Sequence, residues 1–143
     1  MLKKLKTMVL MAVGILFLSL GQPACAEETG QGSVITPQAY QYMYDASCLS
    51  VPSGTSIGVS GTTRTYSKVD KITTTAHLEK KTSTGWSVVK SWTNSTSDST
   101  YCNVTGSYTG EKGTTYRVRC YHRVDKGNLI ETNTSYTNSF SVN

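Results

Sequence analysis

Tyr116, Val118, Cys120, His122 and Val124 alternate without a break against Arg117, Arg119, Tyr121 and Arg123. In an extended strand, side chains at i and i+2 share a face, so the first set points to an interior and the second to water. A helix would scatter the same residues around its surface. The run commits the chain to sheet, and the composition agrees. Ser and Thr abound, Tyr is frequent, and after residue 26 leucine occurs only as Leu49, Leu78 and Leu129. Branched and aromatic side chains suit a pleated, half-buried surface. A disordered mucin-like stalk would need Pro enrichment and no alternation, and only Pro37 and Pro52 follow residue 26.

Period-2 patterns recur between turn signals along the rest of the chain. A first strand is expected around Tyr44 to Val51, closed by Pro52-Ser53-Gly54, and a second from Thr55 to Tyr66. In the third, Ile72, Thr74, Ala76 and Leu78 face inward against Thr73, Thr75, His77 and Glu79. Ser83-Thr84-Gly85 turns into a fourth, Gly85 to Thr93, where Trp86, Val88 or Val89, and Trp92 are expected to supply the largest core groups. Asn94 to Ser99 reads as a polar loop. A fifth strand, Thr100 to Tyr108, puts Cys102 and Val104 on one face. After the sixth, Asp125-Lys126-Gly127-Asn128 closes a hairpin to a last strand, Leu129 to Val142, with a bulge near Ser135.

About seven strands, each with one apolar face, must cover that face. Two antiparallel sheets packed ~10 Å apart do so within a domain of this size. The expected fold is an all-β two-sheet sandwich of the immunoglobulin-like or fibronectin type III-like class, over residues 39–143 with the tryptophans central. Residues 27–38 carry no period and read as a flexible linker.

The first 26 residues read as a secretory signal peptide. Lys3, Lys4 and Lys6 form the positive region, Met8 to Leu20 the apolar stretch, and Ala24-Cys25-Ala26 the cleavage site. That stretch is shorter than the ~20 residues a spanning helix needs. Lipidation at Cys25 is the alternative, although Gln22-Pro23-Ala24 lacks the usual upstream aliphatic residue. Loss of the three lysines takes the formal charge from +5 to +2, which is no nucleic-acid signature.

Thr115-Tyr116-Arg117-Val118-Arg119-Cys120 followed by Asp125-Lys126-Gly127 resembles the penultimate strand and hairpin of a fibronectin type III-like domain. A wider pattern runs through Gly58-Val59-Ser60-Gly61-Thr62-Thr63, Val69-Asp70-Lys71-Ile72, Leu78-Glu79-Lys80-Lys81, Gly85-Trp86 to Trp92, Gly113-Thr114-Thr115-Tyr116-Arg117-Val118 and Glu131-Thr132. It is similar to a group of small secreted β-sandwich proteins of Gram-positive bacteria with no assigned activity. The resemblance implies fold and export, and it carries over no functional residues. The cysteines are not part of that pattern.

Once Cys25 leaves with the leader, Cys48, Cys102 and Cys120 remain, facing an oxidising or thiol-poor exterior. Cys102 and Cys120 both alternate with core residues, so one reading pairs them across the core and leaves Cys48 free or bonded to a second chain. The other keeps all three as buried thiols acting as small hydrophobes.

Catalytic and metal chemistry find little in the sequence. There is no Gly-x-Ser-x-Gly elbow, His-Glu-x-x-His or phosphate loop. A nucleophilic dyad would pair His122 with Cys48 or Cys102, but no orienting Asn or Asp is placed for it, and a core-edge histidine is the plainer reading. Cys120 and His122 offer two ligands on one face without the second pair that zinc needs. No catalytic, cofactor or metal residue is assigned. Asp98, Asp125 and Asn128 read as turn residues. Three glycosylation sequons, at Asn94, Asn103 and Asn133, carry no meaning in a bacterial secretion context and would matter only for a eukaryotic source. No Lys, Asn and acid are placed together for an isopeptide bond.

The candidate binding face is the outward row Arg117, Arg119, Tyr121 and Arg123. Three guanidinium groups around an aromatic ring suit phosphate or carboxylate groups and a stacked sugar. The plain alternative pairs them with neighbouring acids such as Glu79 or Glu131. The expectation is a secreted, non-catalytic module that binds a cell-envelope polymer, glycan or protein, with no cofactor and no nucleic-acid partner. A small secreted enzyme or enzyme inhibitor is the alternative.

Overall fold

A computed structural model describes residues 39–143; the signal peptide and the linker expected over 27–38 lie outside the described residues. The strands are β1 (Met43–Ser53), β2 (Ser56–Thr82), β3 (Gly85–Thr109), β4 (Thr115–Lys126), β5 (Leu129–Tyr136) and β6 (Phe140–Ser141). Every pairing is antiparallel. The alternation that opened the sequence is β4, with Tyr116, Val118, Cys120, His122 and Val124 buried and the intervening residues half-exposed. Ile72, Thr74, Ala76 and Leu78 are also buried, on the expected face of β2.

The strands are fewer and longer than expected, because β2 spans the second and third expected strands and β3 spans the fourth and fifth. Asn94 to Ser99 is strand, not loop, and Asp98 takes up the irregularity with a φ of 47°. The result is one hydrogen-bonded, six-stranded sheet, ordered β1-β2-β4-β5, with β3 also on β2 and β6 on β4. It curls on itself as β2 exchanges one neighbour for another halfway along while β3 follows it throughout. Residues 56–64 of β2 lie between β1 and the end of β3, while residues 71–80 lie between the start of β3 and β4. The register breaks between Arg64 and Val69, and just beyond it the buried set moves from odd positions (Ile57, Val59, Thr63, Thr65, Val69) to even ones (Ile72, Thr74, Ala76). The shift keeps the inner face inward around the bend.

The interior has two apolar clusters. One gathers Ile57, Val59, Ala76, Leu78, Val104, Tyr116, Val118, Cys120 and Val142. The other gathers Met43, Val69, Ile72, Cys102 and Val124. The buried polar groups Thr63, Thr74 and His122 belong to neither cluster. They alternate along β2 and β4 with members of both, so they form a polar layer between them.

The tryptophans are not the centre that the sequence suggested. Tyr116 is the largest fully buried side chain. Between Leu78 and Glu79 the β2–β3 register slips, so that Lys90 opposes Leu78 while Val88 opposes Glu79. Such a bulge re-aims the side chains beyond it. Trp92, on the other side of the bulge and opposite Ala76, is half-buried against the first cluster, where a Cβ on Gly106 would run into its ring. Trp86, an even number of residues away, comes out on the opposite face.

The expected Cys102–Cys120 bridge is also replaced. Cys120 bonds Cys48 on β1, with Cα atoms 5.8 Å apart, and Cys102 is a buried free thiol. Strand parity alone favoured Cys102, but β1 brings Cys48 opposite Gly61, against which Cys120 packs. A Cβ at Gly61 would sit 2.9 Å from Cys120 Sγ and 3.1 Å from Thr74 Cγ2. The missing side chain is what lets the two halves of the sheet approach.

The bridge closes a segment of 72 residues. In the chain-entropy picture it stabilises the fold by about 4 kcal/mol. Changing Cys48 and Cys120 to Ala together is expected to lower the urea-unfolding free energy by about that amount, and Cys102→Ala is expected to leave the bridge intact. Peptide mapping without reductant checks the pairing, and a peptide linking Cys102 to Cys120 would contradict it.

Candidate functional site

The outward row of β4 lies among side chains of the neighbouring strands β2 and β5. His77 and Glu79 of β2 stand opposite Arg119 and Arg117, and Tyr136 of β5 stands opposite Arg119. The expected stripe divides in two. Arg117 Nε donates to Glu79 Oε2 and Arg119 Nε donates to Glu79 Oε1, each at 2.7 Å. Arg123 instead donates along its own strand to both oxygens of Asp125. Tyr121 stands between the two groups, opposite Thr75 and Thr134. The row is therefore one arginine pair with an aromatic beside it, and a third arginine already occupied.

Glu79 is the hub of the pair, and it is 5% exposed although it lies on the outer face. Burial pushes its carboxyl up, but the hydrogen bonds and charges of Arg119 and Arg117 outweigh that and hold it below the ordinary carboxylate range. The Arg117 guanidinium lies 4.3 Å from the Trp86 ring centroid and 4.9 Å from that of Tyr136. Aromatic faces attract the cation and fix its plane. Lys81 Nζ lies 4.9 Å from the same Trp86 ring, adding a further positive charge. Burial, followed by the charge of Arg119, lowers the pKa of His77, which hydrogen-bonds Ser91 Oγ at 2.7 Å. Thr73 with Ser95 and Thr75 with Thr93 continue the field as hydroxyl pairs at 2.9 and 3.0 Å.

Trp86 and Tyr136 are the site residues that sequence reasoning missed. Alternation from Trp92 put Trp86 in the core, and only the one-residue bulge brings it out. Glu79 was foreseen as a partner, but Glu131 goes elsewhere. Its carboxylate accepts the backbone N–H groups of Gln41, Tyr42 and Met43 at 2.5 to 3.2 Å, fastening the start of β1 to β5.

His122 makes no dyad with a cysteine. Its Nδ1 is 2.7 Å from Thr63 Oγ1 and its Nε2 is 2.8 Å from Ser135 Oγ, and Thr63 in turn meets Thr74 at 2.6 Å. The imidazole is fully buried, and that burial pushes its pKa down to about 4, against a weak opposite pull from Asp45. A neutral ring sealed among hydroxyls satisfies the polar layer and has no acid to orient it as a base. Among the described residues no three of His, Cys, Asp and Glu converge as metal ligands would. Two of the sequon amides are engaged in the fold: Asn94 Nδ2 donates to Asn103 O, and Asn103 Nδ2 donates to Ser60, Gly61 and Thr62.

No protein-family model and no curated protein matches this chain. Among solved structures, the solution structure of R. palustris CsgH is 12% identical with a TM-score of 0.39, covering 63% of this chain and 88% of its own. The crystal structure of Spo0M, a sporulation control protein from Bacillus subtilis, is 5% identical with a TM-score of 0.36. That match covers 64% of this chain and 47% of Spo0M. No helix among the described residues is long and apolar enough to cross a membrane.

Because the folded pKa of His122 lies below its unfolded value of about 6.5, the unfolded chain takes up the proton first as pH falls. The contribution of His122 is full above about pH 6.5 and declines toward pH 4, by at most about 1.4 kcal/mol per pH unit, and His77, lowered as well, adds to the slope in the same window. Urea unfolding at about pH 7 and pH 5 is expected to show this loss, in a range above that where Glu79 titrates. The variant His122→Gln should show a flatter slope, whatever its absolute stability, and an unchanged slope would remove His122 as the cause.

Proposed function

We propose that this chain is a secreted, non-catalytic module that holds an anionic polymer or acidic glycan of the cell envelope on the outer face around Arg117 and Arg119. The observation that carries the reading is how the pair is tethered. Each guanidinium spends its Nε on Glu79, and the terminal nitrogens make no hydrogen bond within the described residues. A guanidinium has five N–H donors, so most of them stay available. The shared carboxylate and the two flanking rings fix both groups before any ligand arrives, so little side-chain freedom is lost on binding. With Lys81 included, the cluster carries more positive than negative charge.

The same reading places the chain with the exported Gram-positive β-sandwich proteins it resembles. It takes the curled sheet as a continuous form of the immunoglobulin-like or fibronectin type III-like sandwich, in which β2 and β3 each serve both layers. The leader over residues 1–26 provides the export, and the Cys48–Cys120 bridge suits an oxidising exterior. Tyr121 and Arg123 form the margin of the face, where the Asp125 partner lowers what Arg123 contributes.

Binding to purified cell wall, measured by co-sedimentation at low and high salt, tests the proposal. The triple variant E79Q/R117Q/R119Q removes both guanidinium groups without stranding a buried carboxylate. It is expected to bind at least about tenfold more weakly at low salt, while wild-type binding falls as salt rises. Equal binding by wild type and variant would end the proposal. Arg123→Gln is expected to change binding by much less.

A further inference from the structure

At the other end of the curled sheet, residues from β1, β2 and β3 bring three tyrosines to the surface around one ion pair. Tyr44, Tyr66 and Tyr101 are 52%, 72% and 45% exposed. The Tyr44 and Tyr66 rings lie 4.9 Å apart, tilted by 37°. The Arg64 guanidinium sits 5.4 Å from the Tyr101 ring centroid and bonds Asp45 Oδ2 at 2.6 Å. Exposed rings gathered in one patch, as opposed to apolar side chains scattered singly, mark surfaces that bind something.

A departure from regular pairing builds this surface. The β1–β2 register slips between Met43 and Asp45. In an unbroken strand Tyr44 and Asp45 would point to opposite faces. With the bulge, Met43 goes to the core, Asp45 reaches Arg64, and Tyr44 still comes out against Tyr66. Arg64 and Tyr66 share a face of β2, and Tyr101 stands directly across from Arg64. Bulges of this kind commonly aim a side chain at a site. Glu131 secures the segment just before the bulge by binding the N–H groups of residues 41, 42 and 43.

The geometry points to a second binding surface, formed by Tyr44, Tyr66, Tyr101 and the Arg64–Asp45 pair, that takes an uncharged polysaccharide. The charges of Arg64 and Asp45 cancel, so the patch does not select an ion of either sign. What it offers is aromatic faces for the apolar face of a sugar ring, together with a donor and an acceptor for paired hydroxyls. This chemistry differs from that of the Arg117–Arg119 face and stands without it.

The test is affinity electrophoresis of the full chain in native gels containing soluble starch, hydroxyethyl cellulose, barley β-glucan or a soluble chitin derivative. At least one of these is expected to retard wild type, and salt is expected to have little effect. Tyr44→Ala and Tyr66→Ala should each weaken the retardation by about tenfold, Tyr66→Phe should retain most of it, and E79Q/R117Q/R119Q should behave as wild type. Thermal melting confirms that the exposed tyrosine variants fold. Migration unaffected by all four polymers, retardation indifferent to the tyrosine variants, or retardation abolished by salt would each overturn the inference. Because the arginine variant is scored in the same gels, failure of this site and failure of the anionic one read out separately.

Discussion

The fold depends on how closely the two halves of one sheet approach at Gly61. A long antiparallel sheet has an apolar face that must be covered, and here the sheet covers itself. That requires a place where backbone from one half meets side chains of the other without a Cβ between them. Gly61 provides it, with Cys120, Thr74 and Val104 closing over the gap. The Cys48–Cys120 bond then fixes β1 across the same point, so the position where packing is tightest is also where the chain is covalently joined.

Around that point the protein satisfies its buried polar groups with great economy. Thr63, Thr74, His122 and Ser135 bond one another in a chain between two apolar clusters. Glu79 and Glu131 each lie under the surface and each accept several donors, one set from guanidinium groups and the other from backbone amides. These networks specify register. A slip of one residue would leave an imidazole or a carboxylate without partners, at a cost of several kcal/mol. A chain so rich in Ser and Thr, with few large apolar residues, needs that discrimination more than most.

Strand identity was legible wherever alternation ran unbroken. The burial of β4 and of residues 72–78 followed from period 2 alone, whereas Glu79 was one of two acids named as alternative partners for the arginine row and takes only Arg117 and Arg119. What was not legible came from irregularities of one or a few residues. The bulge opposite Leu78 and Glu79 moved Trp86 outward, β2 ran on as one strand through the break after Arg64, and the slip after Met43 brought Tyr44 beside Tyr66. Nothing in local propensity marks these positions, because a bulge is selected by what packs on either side of it. The cysteine pairing failed to show for a related reason. Parity lists which residues share the interior, and distance within it depends on how the halves are folded together.

The covalent link between β1 and β4 also sets how the domain would behave under tension. Pulled by its two ends, the chain could surrender only the residues before Cys48 and those after Cys120. The 72-residue stretch between them would remain closed, since no force short of one that breaks a bond can lengthen it. For a protein held between a surface and a load, that places the mechanical limit in the chemistry of two sulfur atoms, with the β2–β3 ladder shielded behind them.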